Sequence, residues 1–368
     1  MGLIIFYKNM GFLKKINEFR RWAFKILTKN IGSTHAVTDF ETIDKDTIKK
    51  ILICRPNHRL GNQLLIIPLI QEVTDIFPNA KIDLFVKGNS ATILFENYPN
   101  INRIIQLPKK HFSHFFQYLS AWFSVKSNRY DLVINAASNS SSGNLATKAA
   151  NSKYKYFGDD AAEDTIAIQH NDYSHMAKHP IYGLRNYLSK SGITNQNPIP
   201  SLDIRLSSSE IEAGKKALNE IVNANDKVIS LFTYATGEKK YPGEWWEELY
   251  AKLKEAFPTY AFIEILPVEN VSQLDFKIPS FYSKDIREIA SLIANTNLFI
   301  GADSGIMHLA SASLTPTIGL FRVTNKEWYQ PYNNSSLGIN TNKTSKDEIL
   351  KEVAAILKKK LHFVSNEF

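Results

Sequence analysis

Short apolar runs alternate along most of the chain with longer segments in which apolar positions recur every three or four residues. The runs at 51–54, 82–86, 104–107 and 132–135 predict buried strands. Segments 63–77, 91–98 and 111–126 predict the helices between them, the first kinked at Pro68. The Asn- and Pro-rich stretch 195–200 interrupts this pattern and reads as a linker. The alternation then resumes with helices at 208–222, 244–257 and 284–294 and strands at 228–232, 261–266, 298–300 and 317–321, and 346–361 reads as a terminal amphipathic helix. Between 154 and 193 no period stands out, and 138–144 is a Ser/Asn/Gly loop. Alternation of this kind implies parallel βαβ units, hence an α/β chain in two domains, expected over 51–200 and 201–345, with a terminal helix over 346–368.

Composition adds limits. At 368 residues, 44% hydrophobic and 22% charged, the chain exceeds one ordinary core and has the balance of a soluble globular protein. Its one cysteine, Cys54, lies in an apolar run, which excludes a disulfide framework and a cysteine-based zinc site. No apolar run approaches membrane-spanning length and the N-terminus lacks a signal-peptide core, so a cytoplasmic location is expected.

The net charge of +8 is concentrated at residues 1–30, where seven basic residues face Glu18 for a local +6. There Phe12, Ile16, Phe19, Ala23 and Ile26 recur at helical spacing opposite Lys14, Lys15, Arg21, Lys25 and Lys29, which predicts a basic amphipathic helix, followed by a polar linker over 31–50. Such a helix either lies on an anionic membrane, each basic residue adding ~1 kcal/mol, or docks on the protein's own body. No nucleic-acid motif accompanies the charge, so no nucleic-acid partner is expected.

Candidate chemistry gathers at strand ends. After the strand closed by Gly301, Asp303 stands where a helix N-cap is wanted, and the amides of Ser304, Gly305 and Ile306 form a potential anion site at the helix's positive end. His308 follows one turn after Ser304, on the same face. Taken singly, Asp303 reads as a plain cap and His308 as a structural histidine; together they read as a phosphate or nucleotide site. Thr233, Thr236, Gly237, Lys239 and Lys240 follow the strand at 228–232 and suit a diphosphate. In the first domain His58 and Arg59 sit in the loop after the first strand, either facing a cleft or as a solvated basic loop, and Asn139 lies in the Ser/Asn/Gly loop in a potential acceptor-facing position. His170, His175 and His179 have no standard metal-ligand spacing and are expected to be solvated or acceptor-binding.

The run Asp303-Ser304-Gly305-Ile306-Met307-His308-Leu309-Ala310, with Ala312 and Pro316, resembles the C-terminal signature of glycosyltransferase family 9, which includes the ADP-heptose:lipopolysaccharide heptosyltransferases. The resemblance implies a GT-B architecture, two Rossmann-like domains facing across a cleft. It also implies inverting transfer of a sugar, with heptose as one candidate, from a nucleotide sugar to a lipopolysaccharide-core or other lipid-linked acceptor. It further implies attachment to the inner membrane, with residues 1–30 supplying the contact.

By resemblance, Lys239, Glu269, Asp303, Ser304, Gly305 and His308 bind the donor and Lys239 also stabilises the leaving diphosphate; by their place at strand ends, Thr233 and Thr236 join the donor side and Arg59 and Asn139 meet the acceptor. No metal or other cofactor is implied, and no suitable Asp-x-Asp motif occurs. Two positions depart from the pattern. The family's base is an aspartate where this chain has Asn62, and Arg322 replaces the glycine usual after the signature's closing Leu-Phe. An amide cannot take a proton at neutral pH. Three readings follow: His58, Asp159 or Asp160 is the base; the acceptor is activated otherwise; or the protein is a non-catalytic nucleotide-sugar-binding relative. A sugar-nucleotide epimerase is a more distant reading. Residues 60–63 also resemble the Leu-Gly-Asn-Gln loop of GDP-fucose-using fucosyltransferases, which leaves the donor open.

Overall fold

The computed structural model describes residues 42–109, 114–159, 163–224 and 226–365. The basic helix expected over 1–30, most of the linker expected over 31–50, the expected helix start at His111, and Asp160 lie outside the described residues.

The first half runs β1 (Lys50–Arg55), α1 (Leu60–Leu64), α2 (Ile67–Ile76), β2 (Lys81–Lys87), α3 (Ser90–Leu94), β3 (Ile101–Leu107), α4 (Phe115–Ser127), β4 (Arg129–Asn135), α5 (Ser141–Ala149), β5 (Asn151–Tyr156), α6 (Glu163–Gln169) and α7 (His179–Ser189). Its strands are parallel in the order β3-β2-β1-β4-β5. The second half runs α8 (Ser208–Asn219), β6 (Lys227–Phe232), α9 (Gly243–Ala256), β7 (Tyr260–Ile265), β8 (Ser280–Phe281), α10 (Ile286–Ala294), β9 (Leu298–Ala302), α11 (Gly305–Ala312), β10 (Thr317–Phe321), α12 (Lys326–Tyr329), β11 (Leu337–Asn340) and α13 (Lys346–Ser365). Its parallel order is β11-β10-β9-β6-β7-β8. Both orders reverse direction beside the first strand of their half, between β1 and β4 and between β6 and β9, which is the doubly wound topology. The central strands read as unbroken apolar runs because helices cover both sheet faces.

Two corrections to the sequence reading concern helices. Pro68 does not kink one helix over 63–77. It separates two, since its ring would clash with the carbonyl of Leu64, the last residue of α1, and it sits instead in the first turn of α2, where a missing N–H is tolerated. Residues 138–144 are only partly loop: Ser140 caps α5, its hydroxyl accepting from the Gly143 amide at 3.1 Å. A run of Ser, Gly and Asn has weak helix propensity, and what stabilises it is buried Asn135, which donates to Asn144 Oδ1 at 2.6 Å and to the carbonyls of Ala137 and Phe157 at 2.9 Å.

One hydrophobic cluster continues from the first sheet across to the second, joining Ile53, Leu64 and Leu184 to Phe299, Met307 and Leu309. The outer face of the second sheet is covered by Trp246, Leu249 and Leu253 of α9 with Ile349, Val353 and Ile356 of α13. Each such side chain contributes about 1.5–3 kcal/mol by leaving water. The chain crossing between halves is pinned by polar contacts: Arg287 is ion-paired with Glu210 and donates to the carbonyls of Ile93 and Ile204, both at 3.3 Å, while the Tyr98 hydroxyl donates to Asp203 O at 2.5 Å.

Candidate active site

The two switch points bring the loops after β1 and β6, and the start of α11, to one seam. On the second-domain side Asp303 follows β9, and its Oδ2 lies 2.6 Å from Lys239 Nζ. Asp303 is not the cap expected from sequence: Ser304 is, its hydroxyl accepting from the Met307 amide at 3.2 Å. With the cap supplied by a shorter side chain, the Asp303 carboxylate is left for Lys239. The first amides of α11 have no intrahelical acceptor and mark its positive end.

Thr233 is buried, and its hydroxyl donates to the Glu264 carboxylate, which also accepts from Ser272 Oγ at 2.5 Å. Burial pushes the Glu264 carboxyl up, an effect those hydrogen bonds oppose. Thr233 thus braces the loop from inside, while Thr236 and Glu269 are exposed, on the loop after β6 and the loop after β7 respectively. Arg322 donates to Lys240 O at 2.8 Å and lies 5.4 Å over the Tyr241 ring, so it holds the Lys239 loop from outside.

His308 is 4% exposed. Burial, with smaller effects from His175 and Lys239, lowers its pKa to about 4 against the opposing pull of Asp303. The imidazole is therefore neutral at pH 7 and offers hydrogen bonding rather than positive charge. Its ring edge abuts Gly61, where an added Cβ would come within 2.8 Å of His308 Cδ2. A Cβ on Gly305 would meet Leu60 Cβ at 3.0 Å and Gly61 N at 3.2 Å, so glycines on both sides let the two domains meet backbone to backbone.

On the first-domain side, Arg55 ends β1 and is buried, and its Nη2 donates to Asn62 Oδ1 at 2.8 Å. Its Nε has no hydrogen-bond partner among the described residues. Burial lowers the guanidinium pKa, partly opposed by Tyr329. The loop between is fixed by Asn57, which accepts from the Arg59 amide at 3.0 Å, and by Gln63, which donates to Asn57 O at 3.0 Å and Lys87 O at 2.9 Å.

His58 and Arg59 are exposed on that loop. Partial burial and then Lys87, Lys109 and Arg59 lower the His58 pKa, which leaves a neutral imidazole at pH 7. Gly88, in the left-handed region at φ +81°, lies between: a Cβ there would stand 2.9 Å from Lys109 Cε and 3.5 Å from His58 Cβ. Four basic or imidazole side chains thus converge from the loops after β1, β2 and β3. Sequence reasoning missed Arg55, Lys87 and Lys109; the available signal was a basic residue at or just beyond the carboxyl end of three parallel strands.

Asn139 is exposed in the loop after β4. Asp159 follows the edge strand β5, two strands from β1 and hence roughly 10 Å to the side. Of the three histidines expected to be solvated or acceptor-binding, His170 is exposed and His179 half-buried, and only His175 departs from a solvated position. His175 is buried, its Nδ1 accepting from the Ala177 amide at 3.2 Å and its Nε2 meeting Gln330 O at 2.9 Å, which ties the first domain to the second. His170 stacks on Tyr182 at 4.1 Å and His179 meets Tyr173 edge-on at 4.7 Å. Among the described residues, no group of three or more His, Cys, Asp or Glu is arranged to hold a metal ion.

Comparison with known proteins bears on the family and the fold. The family described as glycosyltransferase family 9 (heptosyltransferase) matches residues 283–359, which contain α10 through β11, Asp303 and His308 among them. Lipopolysaccharide heptosyltransferase 3 of Escherichia coli (strain K12) is 25% identical over 294 residues, which is 74% of this chain and 82% of the relative. Among solved structures, a family 9 glycosyltransferase from Veillonella parvula superposes with a TM-score of 0.66 at 18% identity, covering 84% of this chain and 97% of the other. The E. coli heptosyltransferase WaaC with ADP gives 0.62 at 14% identity, covering 83% and 99%. These two likenesses concern the fold, which is GT-B, two Rossmann-like domains. The signature, the matched family model and the curated relative make this chain similar to the heptosyltransferases of glycosyltransferase family 9.

Proposed function

We propose that this glycosyltransferase moves a heptose, with inversion and without a metal ion, from a nucleoside-diphosphate heptose to an acceptor of the lipopolysaccharide core. Heptose and lipopolysaccharide come from the likeness to the curated relative. The observation that carries the chemistry is the Lys239–Asp303 pair at the amino end of α11, set across the seam from the His58 loop.

In this reading a diphosphate takes up Lys239 Nζ and the first amides of α11, where the charge released on departure is stabilised by groups already fixed in place. Ser304, Thr236 and Glu269 line the donor side, with Thr233 and His308 bracing it from within. The acceptor hydroxyl approaches over the loop after β1, its anionic groups held by Arg59, Lys87 and Lys109, with Asn139 at the margin. His58, neutral at pH 7, takes the hydroxyl proton as the oxygen attacks the anomeric carbon opposite the diphosphate; the bond to the diphosphate breaks and the configuration inverts. The site then works at the cytoplasmic face of the inner membrane, with the basic stretch 1–30 as one contact.

A second reading rests on Asn62. Its oxygen is already engaged by Arg55, so this position offers no base, and the chain would bind a nucleotide sugar without turning it over. A screen of ADP-, GDP-, UDP- and dTDP-sugars by calorimetry and turnover separates the two. Binding with slow turnover by the wild type supports transfer. Binding with turnover only in Asn62→Asp supports the second reading. No binding, or binding unaffected by Lys239→Ala, refutes the donor site.

A further inference from the structure

Helix α4 carries two unlike faces. Ala121 and Val125 are buried against Phe85 and Tyr130, with Tyr118 and Trp122 packed beside them, and these positions occupy one side of the helix. On the opposite side Phe116 is 85% exposed and Phe123 is 72% exposed, with Phe115 and Leu119 exposed beside them. Residues 116, 119 and 123 follow the i, i+3, i+7 spacing of a single stripe, so the four side chains form one continuous ridge. A ridge of three phenylalanines and a leucine facing water is costly to leave uncovered.

The charge around it identifies what covers it. No acidic residue occurs between Glu96 and Asp131, while that interval contains Lys109, Lys110, Lys126 and Arg129, besides Arg103, which is paired with buried Asp83. Lys126 lies on α4 itself, exposed, and Lys109 precedes it at the strand edge beside His58. A second copy of so basic a face would be repelled, whereas anionic lipid headgroups would be attracted and the aromatic ridge would enter the acyl boundary.

We propose that α4 is a membrane-inserting element, its Phe115, Phe116, Leu119 and Phe123 ridge buried in an anionic lipid surface and Lys109, Lys126 and Arg129 lying at headgroup level. This contact is separate from residues 1–30 and does not depend on the transferase reading. It places the loops after β1, β2 and β3 beside the bilayer, where an acceptor anchored in lipid would be presented.

Two measurements on the full chain test it. Cys54 is the protein's one cysteine and is buried, so Phe123→Cys takes a single environment-sensitive fluorophore on the ridge. On phosphatidylglycerol/phosphatidylethanolamine vesicles its emission moves to the blue and brightens, while on phosphatidylcholine vesicles it does not. The double variant Phe116→Ser/Phe123→Ser, whose thermal melt matches the wild type, binds the anionic vesicles at least about tenfold more weakly. The proposal is overturned if the fluorophore ignores vesicles, if the double variant binds as tightly as the wild type, or if neither protein binds. It is equally overturned if sedimentation shows that the ridge is covered by a second copy in the absence of lipid.

Discussion

The Arg55 guanidinium donates to the Asn62 side-chain oxygen across 2.8 Å at the carboxyl end of β1. Because arginine has only donors, the amide must present its oxygen to Arg55, which leaves its NH₂ group as the part of Asn62 that can face a ligand. A carboxylate here would be held ionised by the same arginine and would be a weak base. Asn62→Asp is therefore expected to change transfer by less than about tenfold, whereas His58→Ala lowers kcat by about 10²-fold or more. Steady-state rates of both variants check this, and full rescue by Asn62→Asp of a defective His58→Ala background would reject His58 as the base.

A pH profile reads the same histidine. Partial burial and the nearby Lys87, Lys109 and Arg59 hold its pKa below the ordinary value, and catalysis needs the unprotonated ring. Activity should therefore persist as pH falls through 6.5 and decline only below it. Lys109→Glu reverses one of the depressing charges, so the acid limb moves to higher pH. An unmoved limb at low salt would show that another group titrates.

At the donor side, Lys239→Ala removes the ammonium that faces both Asp303 and, in the proposed complex, the diphosphate. Loss of one such preorganised group is expected to lower kcat by about 10²- to 10³-fold. Asp303→Asn leaves Lys239 unneutralised and should weaken the fold more than the donor contact, a difference resolved by pairing calorimetry with thermal melts.

Stability should fall in mild acid. His175 and His308 are buried with pKa values of about 4 in the folded protein, against about 6.5 when unfolded. The unfolded chain binds more protons between those values, so the stability that holding them neutral contributes is fully present above pH 6.5 and is lost as pH falls toward 4. The slope is about 1.4 kcal/mol per histidine for each pH unit. Denaturant midpoints measured from pH 7 to 4.5 check it, and His308→Gln should flatten the dependence by roughly half.

Gly61→Ala probes the domain seam. The new methyl group would stand 2.8 Å from His308 Cδ2 and 3.5 Å from Gly305 Cα, so the ring or the domains must give. A loss of about 1–3 kcal/mol is expected from such overpacking. Gly237→Ala, with nothing within 4 Å of its would-be Cβ but with φ +64°, is the contrasting case of backbone strain without crowding.

What the sequence alone determined follows from short-range regularity. Unbroken apolar runs mark strands buried on both faces, helical periods mark the segments that cover them, and their alternation leaves a doubly wound arrangement as the consistent topology. The strand-to-helix unit around Asp303 and His308 is legible for the same reason, since its parts lie within a few residues of one another.

Tertiary structure decided whatever depends on partners distant in the chain. Ser304 rather than Asp303 caps α11, and the freed carboxylate meets Lys239, 64 positions earlier in the numbering. Asn135 holds the start of α5 against weak local propensity. Lys87 and Lys109 join His58 only because β1, β2 and β3 are neighbours in the sheet, an adjacency that no local period encodes. Arg55 likewise reads as the polar end of a strand until folding buries it against Asn62 and leaves that residue engaged before any ligand arrives.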